Sequence, residues 1–282
     1  LTMFPSRDET AAVVVDSHAH VFEQGLALAA NRRYRPDYDA RLPDYLAQLD
    51  QHGVTHGVLV QPSFLGTDNT YLIEALRQAP RRLRGVVVIE PGIEPVQLQQ
   101  MHRAGVAGMR LNLVGLPVPD LASPGWQRLL EQVNALDWHV EVHIQAGRLQ
   151  EVVPMLLAAG CRVVVDHFGR PDPALGTNDA GFRYLIEQAD SGRVWVKLSA
   201  AYRIWPLAHC ARAPRAAARL LLEAFGAQRL VWGSDWPHTQ HPAVSYGPTR
   251  QWIADWIEDI PQVSAILTDT SLQLFHFERE VA

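Results

Sequence analysis

Two cysteines, Cys161 and Cys210, are all that the 282 residues contain. That is far too few for a disulfide framework and predicts free thiols in a reducing compartment. No run of lysine and arginine occurs, and the net charge is only −5. Without a basic stripe the chain does not read as a nucleic-acid binder. No stretch reaches the roughly 18 consecutive apolar residues of a membrane span. The first residues carry Arg7 but no basic segment leading into an apolar run of secretion-signal length. The expectation is a soluble cytoplasmic protein with no membrane and no nucleic-acid partner. A Gly-rich phosphate loop is missing too, because the first apolar run ends in "DSHAHVFEQG". No linker or low-complexity segment divides the chain.

What is present is rhythm. Apolar residues make up 48% and charged residues 20%, ordinary proportions for a globular protein. Eight β-branched runs recur about every 30 residues, the size of one βα unit: 12–18, 55–63, 84–91, 106–113, 138–145, 161–169, 193–200 and 229–237. Helical periodicity lies between them, as in "LPDYLAQLDQHG", which sets Leu42, Tyr45, Leu46 and Leu49 on one face. Pro43, Pro95 and Pro124 mark first turns of helices. Gly53, Gly105, Gly160 and Gly226 each follow a helical pattern and precede a strand, the position of a left-handed helix end. The alternation predicts an α/β fold, a (β/α)8 TIM barrel forming a single domain over 1–282. The tail 261–282 is expected to be a terminal helix packing on the barrel. A doubly wound open sheet is the rival, and the missing phosphate loop speaks against it.

In such a barrel the chemistry lies at the C-terminal strand ends. Those ends carry His18 and His20, then Arg110 and Asn112, then His143, His167, Lys197 with Ser199, and Asp235. Side chains alternate along a strand, so His18 and His20 share a face. One histidine at a strand end is ordinarily structural. Four histidines and a carboxylate converging on one mouth are hard to explain as packing, because buried polar groups need partners. Glu141 and Lys197 share inward parity one layer deeper and are expected to form a buried ion pair.

The segments "DSHAHVF", "NRRYRPDYDA", "QPSFLGTDN", "GMRLN", "DHFGRPD" and "VWGSDWPH" resemble, in this order, the amidohydrolase superfamily in its amidohydrolase-related (family 2) branch. More narrowly, they are similar to the 2-pyrone-4,6-dicarboxylate lactonases and their sugar-lactonase relatives. The resemblance implies a hydrolase that opens a cyclic ester, with a small anionic lactone as its partner. It implies that Asp235, His18, His20 and His167 are catalytic, with Asp235 as the general base and the histidines polarising the carbonyl. It implies that Tyr34, Ser63, Arg110, Arg170 and Arg203 face the substrate, where the planar guanidinium fork suits carboxylates.

Two positions depart from that pattern. His143 stands where the dicarboxylate lactonases have tyrosine, which adds it to the substrate-facing set. The loop "LVGLPVPD" after the fourth strand lacks their basic residues. The dicarboxylate lactonases work without a metal, so no cofactor is favoured. The alternative is a single divalent ion such as zinc on His18, His20, His143 and Asp235, with an open position for water. The alternative activities are a zinc-dependent non-oxidative decarboxylase of the same branch, or a lactonase for a sugar-acid lactone or muconolactone.

Overall fold

The computed structural model describes residues 13–30 and 32–278. The expected domain limits at 1 and 282, Arg7, the first residue of the run 12–18 and the last four of the tail 261–282 lie outside the described residues.

Eight short strands form one parallel sheet in chain order: β1 Val15–Ala19, β2 His56–Val60, β3 Leu83–Val87, β4 Val106–Asn112, β5 His139–His143, β6 Val163–Val165, β7 Val194–Ser199 and β8 Leu230–Gly233. β8 returns to β1 through a parallel bridge between Ala19 and Trp236, with His20 N donating to Trp236 O at 2.7 Å. The sheet is therefore a nearly closed barrel. Around it run α1 Leu42–Gln51, α2 Thr70–Gln78, α3 Pro95–Arg103, α4 Pro124–Ala135, α5 Val153–Ala158, α6 Ala180–Glu187, α7 Arg215–Phe225 and α8 Tyr246–Trp256. Among the described residues, no helix is long and apolar enough to cross a membrane.

The local signals act as their chemistry requires. Pro43, Pro95 and Pro124 occupy the first turns of α1, α3 and α4, where the missing N–H is no loss. Gly53, Gly105, Gly160 and Gly226 all have positive φ, which lets each helix turn sharply into the next strand. Leu42, Tyr45 and Leu49 of α1 are buried against the barrel, while Leu46 is half-buried. The segment "GTDN" leads into α2, with Asn69 at the N-cap position. Asp68 Oδ1 accepts from Thr70 N at 3.2 Å, whereas Asn69 turns away and exchanges hydrogen bonds with the Val88 backbone.

The tail holds two helices in place of the expected one, α9 Ile260–Leu267 and α10 Asp269–Leu274. Thr268 leaves helical geometry between them, and its hydroxyl binds the Val13 carbonyl. The break turns α10 under the barrel. There Leu272, Leu274, Phe275 and Phe277 pack on Val15, Val58, Val86, Val164 and Val231. Burying such side chains stabilises by about 1.5–3 kcal/mol each.

β1 carries the decisive irregularity. Its register with β2 shifts between Asp16 and Ala19. Val15 faces the floor, and His18 faces the mouth. Asp16 points outward, where its carboxylate accepts from Ser234 N and Oγ, Tyr45 OH and Tyr246 OH. That knot ties β1, β8 and two helices together. Gly233 is required opposite it, because a Cβ there would stand 2.5 Å from His18 Cβ.

Candidate active site

The strand ends surround a cavity of about 310 Å³. His20, His143, His167, Asp235, Arg110, Arg170, Arg203, Tyr34 and Ser63 all line it. His18 lies directly beneath and is fully buried. All ten residues singled out from the sequence are thus brought to one place. The imidazoles pack ring to ring: His18 lies 5.0 Å from His20 and 4.8 Å from His167, and His143 lies 5.0 Å from His167.

Asp235 is held asymmetrically. Its Oδ2 accepts from Tyr202 OH at 2.5 Å and Arg203 Nε at 2.7 Å. Its Oδ1 faces His20 Nε2 at 3.4 Å and His18 Nε2 at 3.7 Å. Burial alone would raise the carboxyl's pKa. Arg203 and the histidines outweigh it and hold Asp235 well below the usual range. The carboxylate is therefore ionised, with one oxygen committed and one open.

His18, His143 and His167 are neutral. Burial, reinforced by Lys197, keeps His18 well below its ordinary pKa. Burial together with Arg110 does the same for His143, and burial takes His167 down to about 3. His20 lies against the Val60 carbonyl, with Nδ1 at 2.7 Å. A carbonyl only accepts, so Nδ1 carries a proton, and Nε2 faces Asp235 Oδ1. His167 reaches Ser199 Oγ through Nδ1 at 2.8 Å.

Four guanidiniums ring the pocket, and they divide into two kinds. Arg110 bonds Asp166 Oδ2 through Nε at 2.9 Å and Nη2 at 2.8 Å. Arg203 bonds Asp235 and reaches Thr239. Arg170 bonds only the neutral His143, Nη1 to Nε2 at 3.0 Å, and Arg33 only Asn112 Oδ1 at 3.2 Å. Among the described residues neither has a carboxylate partner. Burial, then Arg203 and Arg33, lowers Arg170 to about 10, the mark of a cation held among cations.

Sequence reasoning did not select Arg33 or Tyr202. Each is the chain neighbour of a selected residue, Tyr34 and Arg203. Their directions are set by loop backbone, which has no periodicity to read. Several strand ends are also conformationally demanding. His167, Phe168, Arg170 and Asp235 all have positive φ, an arrangement that clusters where side chains must be aimed.

The donor set bears on a metal. One ligand atom each from His18, His167 and Asp235 lies within 4.8 Å of the others. Of the four candidate ligands from the sequence, His143 has Nδ1 at Asn112 Oδ1, 3.2 Å, and Nε2 at Arg170. No lone pair of that ring is free for an ion. An ion beside Asp235 would also sit among Arg110, Arg170, Arg203 and the buried Lys197. Like charges so close are unfavourable in a low-dielectric site, so His143 is not placed to ligate an ion and the surrounding cations oppose one at the His18, His167 and Asp235 group.

A family model described as amidohydrolase matches residues 15–277. A solved Pseudomonas putida structure, named as a candidate 2-pyrone-4,6-dicarboxylic acid hydrolase, is 48% identical, with a TM-score of 0.88 over 95% of this chain and 99% of that one. The 2-pyrone-4,6-dicarboxylate hydrolase of Comamonas testosteroni is 30% identical over 94% of this chain and 90% of its own. The 4-sulfomuconolactone hydrolase of Rhizobium radiobacter is 29% identical over 92% and 89%.

Proposed function

The chain belongs to the amidohydrolase family, and we propose that it hydrolyses the ring ester of a small dianionic lactone, with 2-pyrone-4,6-dicarboxylate the first substrate to test. The whole chain acts as a single barrel domain in this reading. The observation that carries it is an ionised Asp235 and neutral imidazoles beneath a cavity in which two guanidiniums, Arg33 and Arg170, lack carboxylate partners. A substrate with two anionic groups supplies them.

Ester hydrolysis needs an activated water, a polarised carbonyl and a place for the oxyanion. The lactone carbonyl enters over His18 and His167. The attacking water lies at Asp235 Oδ1, with His20 Nε2 beside it. As the water oxygen bonds the carbonyl carbon, its proton passes to Asp235. The ring C–O bond then breaks, and the proton moves on to the departing oxygen. Tyr202 and Arg203 stay on Oδ2 and keep the open oxygen aimed. Tyr34 and Ser63 line the cavity with Arg203.

No metal takes part in the proposed reaction, a reading supported by the occupied His143 ring and the cationic surroundings. We also place the protein in the cytoplasm, in keeping with two buried free thiols, Cys161 and Cys210. The test is a pH-indicator assay on the dicarboxylated pyrone, a sulfonated muconolactone and neutral sugar lactones. Acid release from the dianionic lactones, unchanged after prolonged chelation, is expected. Turnover confined to neutral sugar lactones, release of carbon dioxide, or loss of activity with extracted zinc overturns the reading.

A further inference from the structure

Directly below the catalytic cluster stands an amine that the proposed reaction never touches. Lys197, on β7, is fully buried. Its Nζ donates to Glu141 Oε1, lies 3.1 Å from His18 Nδ1, and lies 3.5 Å from Asp166 Oδ1. Ligand atoms of His18, Glu141 and Asp166 are within 4.8 Å of one another, a group able to hold a cation. The ammonium of Lys197 is that cation.

The consequence for His18 follows from donor and acceptor chemistry. An ammonium has three N–H groups and no lone pair. His18 Nδ1 also faces Asp166 Oδ1, but at 3.6 Å, beyond hydrogen-bond length; its partner at 3.1 Å is the ammonium, so Nδ1 accepts and a neutral ring carries its proton on Nε2. Nε2 is the nitrogen facing Asp235, and among the described residues it has no hydrogen-bond partner. A buried N–H without an acceptor is costly unless something arrives to accept it. His20 is fixed differently, with its Nδ1 N–H on the Val60 carbonyl.

We propose that Lys197 is a positioning residue that keeps the proton of His18 on Nε2, so that His18 presents an N–H to the lactone carbonyl oxygen. The catalytic part of this inference rests on the lactonase reading; the proton's location does not. It assigns His18 to carbonyl polarisation and leaves His20 to orient the water. It also accounts for the ion pair between Glu141 and Lys197: the carboxylate holds the ammonium under the ring.

The experiment uses the full chain labelled with 15N-histidine and long-range proton–nitrogen correlation, with His18 identified by the signals lost in His18→Gln. In the wild type, His18 is expected to show an unprotonated Nδ1 and a protonated Nε2. Lys197→Met leaves Glu141 uncompensated and risks unfolding, so the informative variant pairs it with Glu141→Gln, which removes both charges together. In that variant the His18 proton is expected to redistribute to Nδ1. Its kcat on the dicarboxylated pyrone is expected to fall by on the order of 10²-fold, as for loss of one oxyanion donor, with KM close to wild type. A wild-type His18 protonated on Nδ1 overturns the proposal. So does a folded double variant whose His18 signals are unmoved, or one whose tautomer changes while kcat does not. If the wild type opens no lactone, the lactonase reading fails on that assay, while the nitrogen spectra still decide where Lys197 holds the proton.

Discussion

The floor and the mouth of this barrel are built by the same eight strands under opposite rules. At the floor Val15, Val58, Val86, Val164 and Val231 meet Leu272, Leu274 and Phe275, and what counts is apolar area removed from water. A few residues further along the same strands stand His18, Arg110, His143, Asp166 and Asp235, nearly as buried. There, what counts is pairing. Asp166 has Arg110 and Asp235 has Arg203, whereas among the described residues Arg33 and Arg170 have only neutral partners and His18 Nε2 has none. Backbone strain divides in the same way. Seven of the nine non-glycine residues with positive φ among the described residues lie at the mouth, from His167 to Gln240. The floor holds the barrel together. The mouth keeps strained and unpaired groups, which a barrel without that floor would not tolerate.

The sharpest challenge to this division is Asp235→Asn. Asparagine accepts the left-handed backbone that Asp235 adopts, at φ 60°, but strips Arg203 of its counter-charge, so stability should fall by clearly less than activity does. Loss of the base should lower kcat/KM by on the order of 10³-fold. A comparable drop in stability would mean that the mouth, too, holds up the fold. The converse change is Leu272→Ala at the floor. It should destabilise by about 2–5 kcal/mol, read from urea unfolding, while the folded protein turns over at the wild-type rate.

Arg33→Ala should act more mildly, because the side chain is at the rim and has only Asn112 as partner. KM for a dianionic lactone should rise about tenfold, as for a charge-assisted hydrogen bond, with kcat nearly unchanged. A monoanionic analogue should be less affected, which would place the second anion at Arg33.

The smallest and most diffuse effect is on pH. His167 has an ordinary pKa of 6.5 lowered by burial to about 3, and His238 is lowered by burial to about 4. Between those values and 6.5 the unfolded chain binds more protons than the folded one, so stability falls as pH falls through that window. Asp235 and Asp166 are depressed below the ordinary carboxylate range, so their stabilisation persists until more acidic pH. Tm followed from pH 8 to pH 4.5 should therefore decline, with Leu272→Ala displaced by a constant amount throughout. A Tm that rises on acidification would mean that the mouth histidines are charged in the folded state.

Much of the barrel was legible in the residues. Strand parity placed His18 and His20 side by side, glycine marked the helix ends, and Glu141 was paired with Lys197 before any contact was seen. What escaped had no period. The break at Thr268 depends on a hydroxyl meeting the Val13 carbonyl 255 residues away. Arg33 and Tyr202 sit in loops whose backbone aims them. Asn69 looks like a helix cap and instead holds the backbone at Val88.

Residue types and their order along the strands were enough to place imidazoles, a carboxylate and arginines at one end of a βα barrel, because alternation and helix–strand spacing are local properties. Which arginines are already paired, which ring nitrogen holds a proton, and which Asp235 oxygen stays open are not local. They arise from contacts such as Lys197 with His18, 179 residues apart, and Ser234 with Asp16, 218 apart. Those contacts exist only once β8 has closed on β1, because hydrogen-bond direction depends on where two side chains meet, and closure alone sets that.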